Sequence, residues 1–213
     1  MNEIINFGTG FIAISIIIII VGLLNFKTLM QINALRVLFC LIVASTIVDI
    51  LGLVMQINGI HNIWLYNLYN LIEFSLIAYF FFLLYNIKKP YRLILGLSYF
   101  AALLFIIFVT IQQSFSEHFN SAMMGFSSII LICSSAFYFK IMLNQLEFET
   151  PWSNPFFWFS SAILIYFSGC FFIFIFSDYR DVTRIIKIWD IHNLIHIGYN
   201  LLILIGFWKA RKT

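Results

Sequence analysis

A small set of ionisable side chains lies within or beside long apolar segments of this sequence. The set comprises Asp49, Glu73, Asp190, His192 and His196. Charged groups are costly inside a bilayer, so residues of this type within a membrane span indicate a site or a paired group. Carboxylates next to imidazoles suit a proton-linked or polar ligand, since histidine titrates in the physiological range. The four-residue spacing of His192 and His196 also matches two zinc ligands on one helix face.

The composition indicates the kind of protein that must position these residues. Hydrophobic residues make up 62% of the 213 residues, charged residues only 10%, and the mean hydropathy is +1.00. A soluble domain has about 25% charged residues, so the sequence predicts a multi-pass membrane protein, placed in the inner membrane of a bacterium. The net charge of +3 does not indicate nucleic acid, because the basic residues lie at segment ends and form no patch.

Seven apolar segments are each long enough to cross a hydrocarbon core of about 30 Å. They cover residues 4–24, 35–57, 64–86, 91–112, 120–143, 156–177 and 188–208. Lipid offers no hydrogen bonds to the backbone, so we expect an all-α fold, one seven-helix domain over residues 1–213. The first segment has no basic residues before it and no small-residue cleavage site, which favours a retained helix over a cleaved signal. Asn154 and Pro155 predict the N-cap and first residue of span six.

The distribution of lysine and arginine predicts the orientation. With the C-terminus in the cytoplasm, nine basic residues lie inside and three outside, a clear positive-inside bias. We therefore expect an external N-terminus. The inner residues are Lys27, Arg36, Lys88, Lys89, Arg92, Lys140, Lys209, Arg211 and Lys212, and the outer residues are Arg180, Arg184 and Lys187.

Three spans place their ionisable groups at one depth. At 1.5 Å per residue, Glu73 lies about 13 Å and His196 about 10 Å below the outer ends of their helices. Asp49 lies about 20 Å above the inner end of its helix, again about 10 Å below the outer face. Amide residues at helical spacing extend these positions into stripes, which we expect to line one polar cavity open to the outside. The predicted lining residues are Asp49, Asn70, Glu73, Asn193, His196 and Asn200.

The same residues admit two other interpretations. Asn, Ser and His side chains also join helices by hydrogen bonds worth about 0.6 kcal/mol each, so the layer is also explained by packing alone. A zinc site would need a third ligand beside His192 and His196, from Glu73 or Asp49, since Asp190 points to another face, and we assign it to Glu73. We predict no cofactor and no stoichiometric zinc, with zinc only under the metal interpretation.

Two resemblances bear on function. The His192-x-x-x-His196 pair in the seventh span resembles the seven-helix intramembrane hydrolases related to alkaline ceramidases and adiponectin receptors, which carry such a pair in that helix and further zinc-site residues in earlier helices. The resemblance covers this motif and the topology. It implies a metal-dependent hydrolase, although Asp49 and Glu73 stand at the levels where that family has a further histidine.

The second resemblance covers three segments, residues 154–158 (Asn-Pro-Phe-Phe-Trp), 164–169 (Leu-Ile-Tyr-Phe-Ser-Gly) and 189–193 (Trp-Asp-Ile-His-Asn). They are similar to small bacterial seven-helix proteins of uncharacterised function and to the membrane sensory part of some histidine kinases. This implies a receptor-like sensor whose signal passes through a membrane or cytoplasmic partner. Our leading hypothesis is therefore a sensor or small-ligand-binding protein without enzymatic activity, with the hydrolase as the alternative.

Overall fold

The computed structural model describes residues 2–85, 89–112, 120–144, 150–176 and 182–211, with the side chains of 2–9, 11, 89–91, 174–176 and 182–190 left aside. The helices are α1 (Asn2–Leu24), α2 (Phe26–Gln31), α3 (Asn33–Ile57), α4 (Ile63–Leu84), α5 (Lys89–Gln112), α6 (Ser121–Asn144), α7 (Pro155–Phe176) and α8 (Val182–Ala210), with a 3₁₀ turn over Pro151–Ser153. No strand occurs in these ranges. The chain is an all-α polytopic membrane protein, as its composition predicts.

Helices α3 to α8 each contain a segment long and apolar enough to cross a membrane. In α1 the apolar part with described side chains is Ile12–Leu24, which is shorter. The number of seven spans and the orientation of the chain therefore stay predictions.

Two features of the helices were not predicted. The short helix α2 lies between the first two long ones, and the Asn25 amide just before it donates a 2.9 Å hydrogen bond to the carbonyl of Phe207 in α8. Helix α8 begins at Val182 instead of residue 188, so Arg184 and Lys187 lie in the helix and not in a junction. Its first turns are polar in sequence, and a hydropathy criterion finds only the part of a helix that suits lipid.

The predicted start of the sixth long segment is confirmed. Helix α7 begins at Pro155, and the Oδ1 atom of Asn154 accepts a 2.9 Å hydrogen bond from the Phe156 N–H. This bond satisfies one of the backbone donors that a helix leaves free in its first turn. Proline at the first helical position has no such donor to satisfy.

Six helices form a closed ring. Going around it, α1 packs against α3, α3 against α4, α4 against α6, α6 against α7, α7 against α8, and α8 returns to α1. Helix α5 lies outside this ring, against α4 and α6, and the large apolar side chains of α5 are mostly exposed. Those side chains therefore face lipid, and the interior of the ring belongs to the other helices.

Aromatic rings fill one end of the ring interior. Phe159 of α7 is fully buried, with its ring centroid 6.5 Å from that of Phe80 in α4 and 5.1 Å from that of Phe207 in α8. Gly206 leaves the space that the Phe159 ring occupies. These contacts bring α4, α7 and α8 together, so residues one to two turns further toward the other end of the same helices also meet.

Candidate functional site

Glu73 of α4 lies in the ring interior, about 10 Å along the helix from the aromatic layer at Phe80. Its side chain is only 9% exposed. The hydroxyl of Tyr69, one turn earlier on the same helix, lies 3.4 Å from Oε1 of Glu73 and donates a hydrogen bond to it. Glu73 is therefore buried in the interior of the ring.

Asp49 of α3 faces the same region. Its carboxyl accepts a hydrogen bond from Ser45, and it interacts electrostatically with the carboxyl of Glu73. Ser45 also bonds the Tyr69 hydroxyl, so the chain of contacts runs from Asp49 through Ser45 and Tyr69 to Glu73. The Oδ2 atom of Asp49 is buried and has no hydrogen-bond partner among the described residues. One acceptor of the pair is thus left open.

Two histidines of α8 form the opposite side of the site. The rings of His192 and His196 stack almost in parallel, 9° apart in plane and 6.2 Å between centroids. Nδ1 of His196 lies 3.3 Å from Nδ2 of Asn200, a residue only 2% exposed. Asn193 hydrogen-bonds the neighbouring His192. The predicted polar stripe of this helix therefore exists as a set of mutual contacts.

Two tyrosines lie beside the histidines. Tyr166 of α7 and Tyr199 of α8 pack with ring centroids 4.9 Å apart, and the Tyr166 ring lies 5.8 Å from His196. The Tyr166 hydroxyl also reaches Nε2 of His192 at 3.5 Å. Both tyrosines lie near enough to Glu73 to interact electrostatically with its carboxyl. The histidines of α8 and the carboxyl of Glu73 therefore have the same two tyrosines as neighbours.

We refer to these residues together as the interior cluster. It comprises Ser45, Asp49, Tyr69, Glu73, Tyr166, His192, His196, Tyr199 and Asn200.

Not every predicted lining residue joins this cluster. Asn70 is half-buried and its Nδ2 atom has no partner among the described residues. Asn67, two three-residue steps before Glu73 on the same helix, accepts a 3.4 Å hydrogen bond from the Asn120 N–H just before α6. Each three-residue step turns a helix by about 300°, so two steps separate Asn67 from Glu73 by about 120°.

The sequence reasoning missed Tyr69, Tyr166 and Tyr199. It considered ionisable and amide side chains, whereas tyrosine was counted among the apolar residues. A signal was available, because the chain has 26 phenylalanines and only 10 tyrosines. Where phenylalanine fills most aromatic positions of a membrane span, a tyrosine hydroxyl inside the span needs a partner.

The metal interpretation depends on His192 and His196. Their rings lie on one face of α8, as the four-residue spacing predicts. Within the described part of the chain, no group of three or more His, Cys, Asp or Glu side chains is arranged to hold a metal ion. Glu73 is hydrogen-bonded to Tyr69, whereas His192 is paired with Tyr166. The side chain of Asp190, another candidate ligand, lies outside the described residues.

No protein-family model, curated protein or solved structure matches this chain. The class that the fold defines, an all-α polytopic membrane protein, therefore rests on the helices themselves.

Proposed function

We propose that this protein is a membrane sensor that binds a proton or a small cation in the interior cluster and signals through a partner. The observation that carries the proposal is a pair of carboxyls inside a ring of apolar helices: Glu73 is only 9% exposed, and the buried Oδ2 atom of Asp49 has no hydrogen-bond partner among the described residues. Two buried carboxyl groups in such a place are costly unless a positive charge reaches them. The sequence between Arg36 and Lys88 contains no lysine or arginine to supply it.

The chemistry around the two carboxyls favours a cationic ligand. Asp49 keeps one acceptor atom open, and the Tyr69 hydroxyl already donates to Glu73. Tyr166 and Tyr199 add aromatic faces, which attract cations by about 1–2 kcal/mol when water is excluded. A protonated primary amine matches acceptor oxygens and aromatic faces together, and a proton is the smallest case.

The fold suggests how binding becomes a signal. Residues of the cluster come from α3, α4, α7 and α8, so a ligand that neutralises the carboxyls changes the forces between four helices of one ring. A ligand shifts such an equilibrium only by its difference in affinity between two states. A cation meets that condition if a second arrangement of the helices separates Asp49 from Glu73. Under the predicted orientation the ligand enters from outside and the partner reads the change from the membrane or cytoplasm.

The experiment measures thermal unfolding of the purified protein with ethanolamine, choline or sodium, and separately across a pH series. We expect one of these cations, or a lower pH in the case of a proton, to raise the unfolding temperature. A ligand at a hundred times its Kd stabilises the folded protein by about 2.7 kcal/mol. Glu73→Gln removes one charge-assisted contact and should weaken binding about tenfold to a hundredfold. Glu117→Gln, in the junction before α6, is the matched control and should bind as the wild type does.

Two outcomes would contradict the proposal. The first is that neither pH nor any of the three cations changes the unfolding temperature. The second is that Glu73→Gln and Glu117→Gln both respond to every condition as the wild type does. Either result would leave interhelical packing as the role of the cluster.

The intramembrane hydrolase remains the second candidate, favoured by the stacked pair of His192 and His196. A catalytic zinc site needs three protein ligands and one position for water. Elemental analysis of native protein purified without chelators distinguishes the two functions. We expect less than stoichiometric zinc. One tightly held equivalent that is lost in His196→Ala would make the hydrolase the better assignment.

A further inference from the structure

An open groove runs between α4 and α5 on the outside of the ring. It has a volume of about 270 Å³ and is lined by Phe74, Ala78 and Phe82 of α4 and by Gly96, Tyr99 and Leu103 of α5, among others. The α4 wall runs over nine residues from Phe74 to Phe82, or about 12 Å, close to the depth of one lipid leaflet, about 15 Å. The two small residues, Ala78 and Gly96, leave the room for the groove.

The interior of the groove suits hydrocarbon. The hydroxyl of Ser75 donates to the backbone carbonyl of Leu71 at 2.7 Å. The hydroxyl of Tyr99 pairs with Oγ of Ser134 at 2.7 Å, which directs it toward α6. The hydroxyls of Ser75 and Tyr99 are therefore hydrogen-bonded inside the protein, and both residues present carbon atoms to the groove. An occupant bound along its length gains from burial of apolar surface and not from hydrogen bonds.

A basic side chain stands at one end of the groove. The Arg92 guanidinium lies over the Phe82 ring, with Cζ 4.7 Å from its centroid. Arg92, Gly96, Tyr99 and Leu103 follow the spacing of one helix face, so the α5 wall leads directly to this charge. Arg92 directly precedes the apolar run that begins at Leu93, which places it at the membrane surface. Lys88 and Lys89 precede it in the sequence and add positive charge.

We propose that the groove binds one anionic phospholipid, with an acyl chain between α4 and α5 and the headgroup phosphate on Arg92. The planar guanidinium has donors in a fork that matches phosphate oxygens, and stacking on Phe82 holds it in place. Helix α5 packs on α4 and α6, and a chain seated in the groove covers part of its exposed surface. The lipid is thus a structural ligand that attaches α5 to the ring, separate from the interior cluster.

The experiment is native mass spectrometry of the full chain released from mixed micelles that contain phosphatidylglycerol and phosphatidylcholine with identical oleoyl chains. A basic residue at the membrane surface contributes about 1 kcal/mol toward an anionic lipid, so we expect about a fivefold preference for phosphatidylglycerol. Arg92→Gln should abolish the preference, whereas Arg92→Lys, which keeps the charge but not the fork and the stacking, should keep part of it. Gly96→Leu fills the groove next to Phe82 and should reduce retention of both lipids.

Lys140→Gln is the matched control, because Lys140 is exposed near the end of α6 that lies on the same predicted side as Arg92. It should leave the preference unchanged. If Arg92→Gln does not fold, a salt titration of the wild-type protein replaces it, since screening should reduce the preference while total lipid retention persists.

Three results would overturn the proposal. The first is that the wild type retains both lipids equally. The second is that Arg92→Gln and Lys140→Gln lower the preference to the same extent. The third is a dimer that Gly96→Leu dissociates, which would show that a second copy of the chain, and not a lipid, occupies the groove.

Discussion

Replacing Gly206 with alanine tests the close approach of α7 and α8 that brings the interior together. A Cβ atom at this position would overlap the Phe159 ring, lying 2.7 Å from its Cδ1 and 2.8 Å from its Cζ. The ring cannot move aside, because it is fully buried between the rings of Phe80 and Phe207. The helices must therefore separate or the ring must leave its preferred rotamer.

The size of the effect follows from two opposing contributions. Overpacking of a close-packed interior costs about 1–3 kcal/mol. Alanine is favoured over glycine inside a helix by about 1 kcal/mol. Gly198→Ala, in the same helix, receives only the second contribution, since no atom lies within 4 Å of a Cβ built there. The two variants should thus differ by the overpacking cost, or about 2–12 °C in unfolding temperature for a chain of this size.

The assay is thermal unfolding of both variants and the wild type in the same detergent. Gly206→Ala should unfold at a lower temperature than Gly198→Ala. Adding Phe159→Leu to Gly206→Ala should restore part of the loss, because residues in contact do not act additively. Equal unfolding temperatures for the two alanine variants would show that α7 and α8 do not approach each other as described.

Three further predictions concern a cap, a tertiary contact and the orientation. Asn154→Ala removes the bond to the Phe156 N–H and should cost about 1 kcal/mol of unfolding free energy, measured by thermal unfolding. Asn25→Ala removes the buried bond to the Phe207 carbonyl and should cost about 1–2 kcal/mol in the same assay. Reporter fusions at Thr213 should be active only with a cytoplasmic reporter, as the basic-residue bias predicts.

A specific result would contradict each of these predictions. Asn58→Ala is the control for both asparagine variants, because its amide bonds only its own exposed helix end and should cost little. If Asn154→Ala or Asn25→Ala unfolds at the same temperature as Asn58→Ala, the corresponding bond does not stabilise the protein. A fusion active only with a periplasmic reporter would reverse the orientation.

Asp49, Glu73 and His196 stand out in the sequence because lipid excludes charge, and their depth along a helix follows from counting residues. The faces of the helices were harder to predict, since Asn67 and Glu73 are two three-residue steps apart and yet diverge to α6 and to the interior. Tyr166 was missed because tyrosine was counted with the apolar residues, and only the structure identifies His192 as the partner of its hydroxyl.

The sequence did not indicate which helices pack against each other. Helix α5 is as hydrophobic as α3, with a mean hydropathy of 2.6 for both spans, although α3 lies in the ring and α5 outside it. Lipid tails and apolar side chains solvate a helix equally well, so hydropathy carries little information about which helices pair. The short helix α2 was not predicted for a related reason, since its position depends on a contact between Asn25 and α8, far along the chain.

The closed ring has a consequence for biogenesis. Because α1 contacts α3 and α8, the ring is completed only after α8 has been made. Glu73 leaves the ribosome 127 residues before Asn200, and at about 5–20 residues per second the delay is about 6–25 s. During that interval its carboxyl lacks the neighbouring Tyr166 of α7 and Tyr199 of α8. The nascent chain must therefore shelter Glu73 from the acyl chains, either at the lateral gate of the insertion machinery or against α3 and its Asp49.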